Sequence, residues 1–262
     1  MAGIAFWELV LAYLSLGLQV VVVYCLLSRK LWPVYPGLLA YFLMNIFQGC
    51  LLFFAYRTWG YLDHRTQLLA WSSEIPVLLM RAWAIADICW LLLGSYRGVW
   101  GLAWRLLSAL GLGLVFYSVA SAGPEWNQAV LSANIGLELT TVMVLVALFL
   151  FARHYEIAPS PAIRALALGF FLYSGFTVLN HKILQLWLRQ YVPGWQILST
   201  LPFIASVCLW LWAVRQPVAK TLKDLAVLPR DVYYAFTPEV NLRLRGLNER
   251  LGRLWGPEAP RP

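Results

Sequence analysis

Four ionisable side chains are clear cases of charge deep inside otherwise apolar stretches of this chain: Glu74, Arg81 and Asp87 within one, and Glu138 within another. A charged group at the centre of a bilayer costs about 2.5–3.5 kcal/mol on the translocon scale, so such residues face a protein interior and often mark a site. Arg81 and Glu138 lie roughly 20 Å and 16 Å down their stretches from the outer end, at about 1.5 Å per helical residue. Both are near the midplane, where an unpaired guanidinium is the costlier state. Arg81 and Glu138 are therefore expected to form a central ion pair. It serves either as a structural staple between two helices or as a ligand anchor or proton-coupled switch. Glu74 shares nearly one face with Arg81, but ~10 Å of rise separates them, so no direct pairing is expected.

Glu74 sits in Trp71-Ser72-Ser73-Glu74-Ile75-Pro76. Pro76 cannot donate to the carbonyl of Ser72, so a kink or a late helix start is expected here. Glu74 then either lines the entrance to a pocket or caps the true helix start. Asn45 and Gln48 are three apart and share a face. Asn134 precedes Glu138 by one turn, and Asn180, His181 and Lys182 fall toward the outer end of another stretch. Together they outline a polar cavity opening outward and floored by Arg81 and Glu138. Interhelical hydrogen bonding alone is the competing account of each.

The elements that must position these residues are seven apolar stretches, Ile4 to Leu27, Gly37 to Tyr56, Leu68 to Leu93, Leu102 to Ala120, Asn127 to Ala152, Ile163 to Leu188 and Ile197 to Val214. Each is long enough to cross a hydrocarbon core of roughly 30 Å. They are continuously apolar, not alternating, which favours helices that satisfy their own backbone hydrogen bonds over a β-barrel. With 61% hydrophobic residues, 12% charged and a mean hydropathy of +0.68, the chain departs from the composition of water-soluble domains. The expected fold is an all-α membrane protein, a bundle of seven transmembrane helices over residues 1–214. Ser132 with Gly136, Ala109 with Gly113 and Ala165 with Gly169 supply the small residues that close helix contacts need.

Basic residues set the orientation. Arg29, Lys30, Arg97, Arg105, Arg153 and Arg164 flank the odd-numbered connections, and nine more lie beyond Val214. Only Arg57, Arg65, Lys182 and Arg189 lie near the other side. The positive-inside rule puts the N-terminus outside and the C-terminus in the cytoplasm, in a cytoplasmic (inner) membrane. The first stretch begins almost at Met1 without a basic n-region or small-residue cleavage site, and reads as a retained helix. Residues 215–262 form a basic cytoplasmic tail. Within it Val240, Leu244, Leu247, Leu251 and Leu254 recur at helical spacing behind Thr237-Pro238-Glu239, predicting an amphipathic helix near 238–255. Its stripe fits the membrane interface, with arginines at anionic lipid. A cytoplasmic protein partner or a homo-oligomer is the alternative occupant.

Topology and anionic lipid account for the net charge of +8, so no nucleic-acid partner is expected. Many of the fourteen Trp and thirteen Tyr sit near span ends, as interfacial belts do. Cys25, Cys50, Cys89 and Cys208 all fall in spans without a C-x-x-C pair and read as packing residues. No metal or cofactor is expected. His64 and His154 lie in loops on opposite sides, H-E-x-x-H is absent, and so is the G-x-x-x-x-G-K-[ST] loop of ATP-driven machines. The last stretch lacks the lysine that retinal requires.

The run Arg29-Lys30-Leu31-Trp32-Pro33-Val34-Tyr35-Pro36 into Tyr41, with Tyr56 and Tyr61 at the next turn, resembles uncharacterised bacterial seven-helix integral membrane proteins over about the first quarter of the chain. That resemblance implies topology alone. The expected function is receptor-like or sensor-like, with an outward-opening polar pocket. An intramembrane enzyme on a lipid-soluble substrate such as a polyprenyl compound, using Glu74, Asp87 or Glu138 as general acid, is the alternative. A small-solute transporter is another, though the two halves show no matched polar positions.

Overall fold

The computed structural model describes residues 6–60, 63–94, 96–122, 126–155, 157, 159–186, 192–217 and 239–254. Among them are eight helices and no strand: α1 (Phe6–Ser28), α2 (Pro36–Thr58), α3 (His64–Leu93), α4 (Arg97–Ala122), α5 (Trp126–His154), α6 (Pro161–Leu186), α7 (Val192–Arg215) and α8 (Glu239–Leu254). Five contain stretches long and apolar enough to cross a membrane, in α2 to α6, and shorter apolar stretches run over Tyr13–Ser28 and Thr200–Arg215. This all-helical architecture is compatible with a multi-pass membrane protein. Its outer surface agrees with that, since large apolar side chains such as Leu112 and Phe116 are 73% and 77% exposed. Water would penalise such a surface and lipid does not.

Local chemistry sets the helix ends. Pro36 occupies the first turn of α2, where its missing N–H is no loss. The next donor, Gly37 N–H, is satisfied from another helix by Asp87 Oδ2 at 2.6 Å. Asp63 caps α3 by accepting from the Arg65 N–H at 2.7 Å. Helix α3 then continues through Pro76 to Leu93. The helix therefore starts ten residues before Glu74, and the expectation that Glu74 caps a late start is overturned. Arg29 donates to the Val214 carbonyl at 2.6 Å, tying the end of α1 to the end of α7 with a cation where the helix dipole favours one.

Successive helices pack against one another from α1 to α7, and α7 returns to α1, so these elements close a ring. Helix α3 also touches α5 and α6, and so lies toward the interior of that ring. The apolar core is densest where Tyr41 and Phe42 of α2 meet Phe170 of α6 and Trp210 of α7. Trp210 is fully buried and donates its indole N–H to the Leu166 carbonyl at 3.1 Å. Gly169 permits this contact, because a Cβ there would stand 2.5 Å from Trp210 Nε1. Gly136 likewise faces Leu114 of α4. Gly113, expected to be at a close contact, has open space around its Cβ position, because that face of α4 turns away from its neighbours.

Helix α8 packs against the start of α4. Asn248 accepts from the Gly98 N–H at 2.6 Å and from the Val99 N–H at 3.4 Å, capping α4 from outside its own chain segment. A Cβ at Gly98 would collide with the Asn248 backbone, so the close approach requires glycine.

Candidate functional site

The candidate site grows from the interior helix. Arg81, on α3, is 2% exposed, and Glu138, on α5, is completely buried. The Arg81 Nη1 donates to Glu138 Oε1. Its Nη2 stands 3.8 Å from Glu74 Oε1, so Arg81 reaches both carboxylates. This corrects the expectation that Glu74 and Arg81 do not pair. Rise alone was the wrong measure, because helical side chains lean toward the N-terminus and a long guanidinium stem spans most of two turns. Tyr173 of α6 and Tyr41 of α2 place their rings 5.3 Å and 6.0 Å from the guanidinium carbon. Both lie within cation–π range.

Around this core the polar residues form two groups. Gln48, on α2, donates to Glu74 Oε2 at 2.8 Å and lies 3.4 Å from Ser73 Oγ. One turn earlier Asn45 donates to Gln19 Oε1 at 3.0 Å, and Gln19 donates to Ser15 Oγ at 3.3 Å. Gln19 and Ser15, on α1, are site residues that the spacing arguments missed. The signal available was that Gln19 is the amide side chain of an otherwise aliphatic run. Tyr41 and Tyr173 were missed too, because nothing separates them in sequence from the chain's other tyrosines.

Four buried polar atoms lack a partner among the described residues: Arg81 Nε, Glu138 Oε2, Asn134 Oδ1 and Ser174 Oγ. Asn134 and Glu138 are neighbours on one face of α5, so two unsatisfied acceptors stand one turn apart. Such groups cost free energy unless water or a ligand meets them. Asn180 is half-buried near the end of α6. The backbone of His181 and Lys182 continues that helix, and their side chains lie outside the described residues.

A cavity of about 630 Å³ opens beside this network. Ser15, Gln19, Asn45, Gln48, Tyr173 and Thr200 give it a polar wall, with Leu16, Phe53 and Phe203 among its apolar lining. Gln48 and Tyr173 are the two residues that connect the cavity to the charged core, since one holds Glu74 and the other covers Arg81. Of the sequence-derived candidates, Asn45 and Gln48 line the cavity, while Glu74, Arg81 and Glu138 stand behind them. No group of three His, Cys, Asp or Glu side chains suited to a metal occurs among the described residues.

No family model matches the chain, and no curated protein or solved structure is similar to it.

Proposed function

We propose that the chain crosses a bacterial cytoplasmic membrane seven times, N-terminus outside and basic tail inside, and acts as a receptor-like or sensor-like protein for a small polar ligand. In this reading α1 to α7 are the spans and α8 lies at the cytoplasmic face. The ~630 Å³ cavity then occupies the outer half of the bilayer. The observation that carries the reading is the continuity from that cavity through Gln48 and Tyr173 to an ion cluster with unsatisfied acceptors. One guanidinium faces two carboxylates, so the cluster favours a ligand that donates hydrogen bonds or carries positive charge. The binding equilibrium would act on α3, which touches four other helices of the ring, and a partner protein at the tail would read the change.

The enzyme reading ranks lower for two of its three candidate acids, Glu74 and Glu138, because both are committed to Arg81. An ion-paired carboxylate is a poor proton donor.

Cys50 lines the cavity and is exposed, which makes it a reporter of access. With Cys25, Cys89 and Cys208 replaced by Ala, a membrane-impermeant methanethiosulfonate cation is expected to label Cys50 in intact spheroplasts and not in inverted vesicles. Labelling from both sides would instead favour a transporter. Labelling only by lipid-soluble maleimides would sink the outward pocket.

A further inference from the structure

A second cavity, of about 470 Å³, lies between α3, α4 and α5 and shares no lining residue with the first. Its size is that of a small-molecule site. Its wall is apolar and includes four indoles, Trp83 and Trp90 from α3 and Trp100 and Trp104 from α4. Trp100 meets Trp90 edge-on at a centroid distance of 5.0 Å and lies 5.9 Å from Trp104. Asp87 stands between Trp83 and Trp90 on the same face of α3, four residues after one and three before the other, and is the charged side chain of the lining.

Asp87 makes no ion pair among the described residues. Its Oδ2 caps the Gly37 N–H and the Trp83 side chain also donates to the carboxylate, which offers about four acceptor sites, so neither partner supplies a balancing charge. An intramembrane carboxylate is ordinarily matched by a cation. Arg81 does this for Glu74 and Glu138, and no cation among the described residues does it for Asp87. Indole faces are also the aromatic surfaces that attract cations most strongly. Interfacial tryptophans alone would explain the rings, and capping alone would explain one oxygen. Neither explains why four indoles line one apolar cavity together with a carboxylate that has no cationic partner among the described residues.

We propose that this cavity binds a lipophilic organic cation, its apolar groups against the indoles and its positive charge against Asp87. Ser108, Thr140 and Thr141 add hydroxyls for any polar substituent. The site does not depend on the outward pocket, so either can fail without the other.

Tetraphenylphosphonium is the probe, with tetraphenylborate as a control of the same shape and opposite charge. Both are measured by equilibrium binding to the full chain in phosphatidylcholine nanodiscs, corrected for empty nanodiscs. Saturable binding is expected for the cation, and binding about tenfold or more weaker for the anion. Asp87→Asn keeps an oxygen for the Gly37 cap and is expected to lower cation affinity by about tenfold or more. Trp100→Leu is expected to lower it by about threefold or more. Each variant is first required to elute as a single species at the native size. Equal binding of the two ions, unchanged affinity in Asp87→Asn, or no saturable binding of the cation overturns the proposal.

Discussion

Arg81 on α3 donates to Glu138 on α5 while standing 3.8 Å from Glu74 on its own helix, so one guanidinium serves two carboxylates. The arrangement is asymmetric. Removing Glu138 leaves the cation a partner, whereas removing Arg81 leaves two carboxylates without one.

Arg81→Met is accordingly expected to destabilise the protein by about 3–5 kcal/mol, the scale of breaking a buried pair, and Glu138→Gln by clearly less. The double variant Arg81→Met with Glu138→Leu should recover part of the loss, because fewer uncompensated charges remain. Thermal unfolding in detergent, followed by light scattering, gives the order. Equal losses in the two single variants would contradict the shared-cation geometry.

Gln48 holds Glu74 by a 2.8 Å hydrogen bond to an ionised group. Gln48→Leu should cost about 1.5–3 kcal/mol by that bond. It should also change the rate at which Cys50, two residues on, reacts with the impermeant thiol reagent. A variant as stable as the native chain would show that Glu74 does not need this anchor.

Two glycines of similar sequence context predict opposite outcomes. Gly169→Ala drives a Cβ to 2.5 Å from Trp210 Nε1 and should cost about 1–3 kcal/mol through overpacking. Gly113→Ala meets nothing within 4 Å and should be neutral or gain up to about 1 kcal/mol in helix propensity. The same thermal assay separates them, and a loss at Gly113 would place α4 against an unseen neighbour.

Asn248 caps α4 from the tail helix. Asn248→Ala should weaken the dock by about 0.5–2 kcal/mol, the usual worth of a cap. The readout is faster tryptic cleavage after Arg245 and Arg250, with Asn248→Asp, which retains an acceptor, cleaved at the native rate. Identical cleavage of all three proteins would mean that α8 is not held to α4 by this residue.

Element existence was legible because hydropathy is a local sum, and long continuous apolar runs leave a helix as the stable form in lipid. The ends were less so. Helix α3 begins at His64, four residues before its apolar run, because Asp63 supplies a cap that hydropathy does not register. At the site, Glu74, Arg81 and Glu138 stood out by their cost in an apolar stretch. Gln19 and Tyr173 did not, since an amide or a phenol on a span is unremarkable until its neighbour is known.

The sequence by itself determined that this chain is built of apolar helices with charges sorted to one set of connections, because transfer free energies accumulate residue by residue along the chain. Tertiary structure alone decided which intramembrane polar groups meet. That Asn45 finds Gln19, that Arg81 takes two carboxylates, and that Asp87 keeps four indoles for company depend on how each helix is rotated and on α3 lying toward the inside of the ring. Rotation and neighbour choice arise from packing between segments distant in sequence, which no periodicity within one segment encodes.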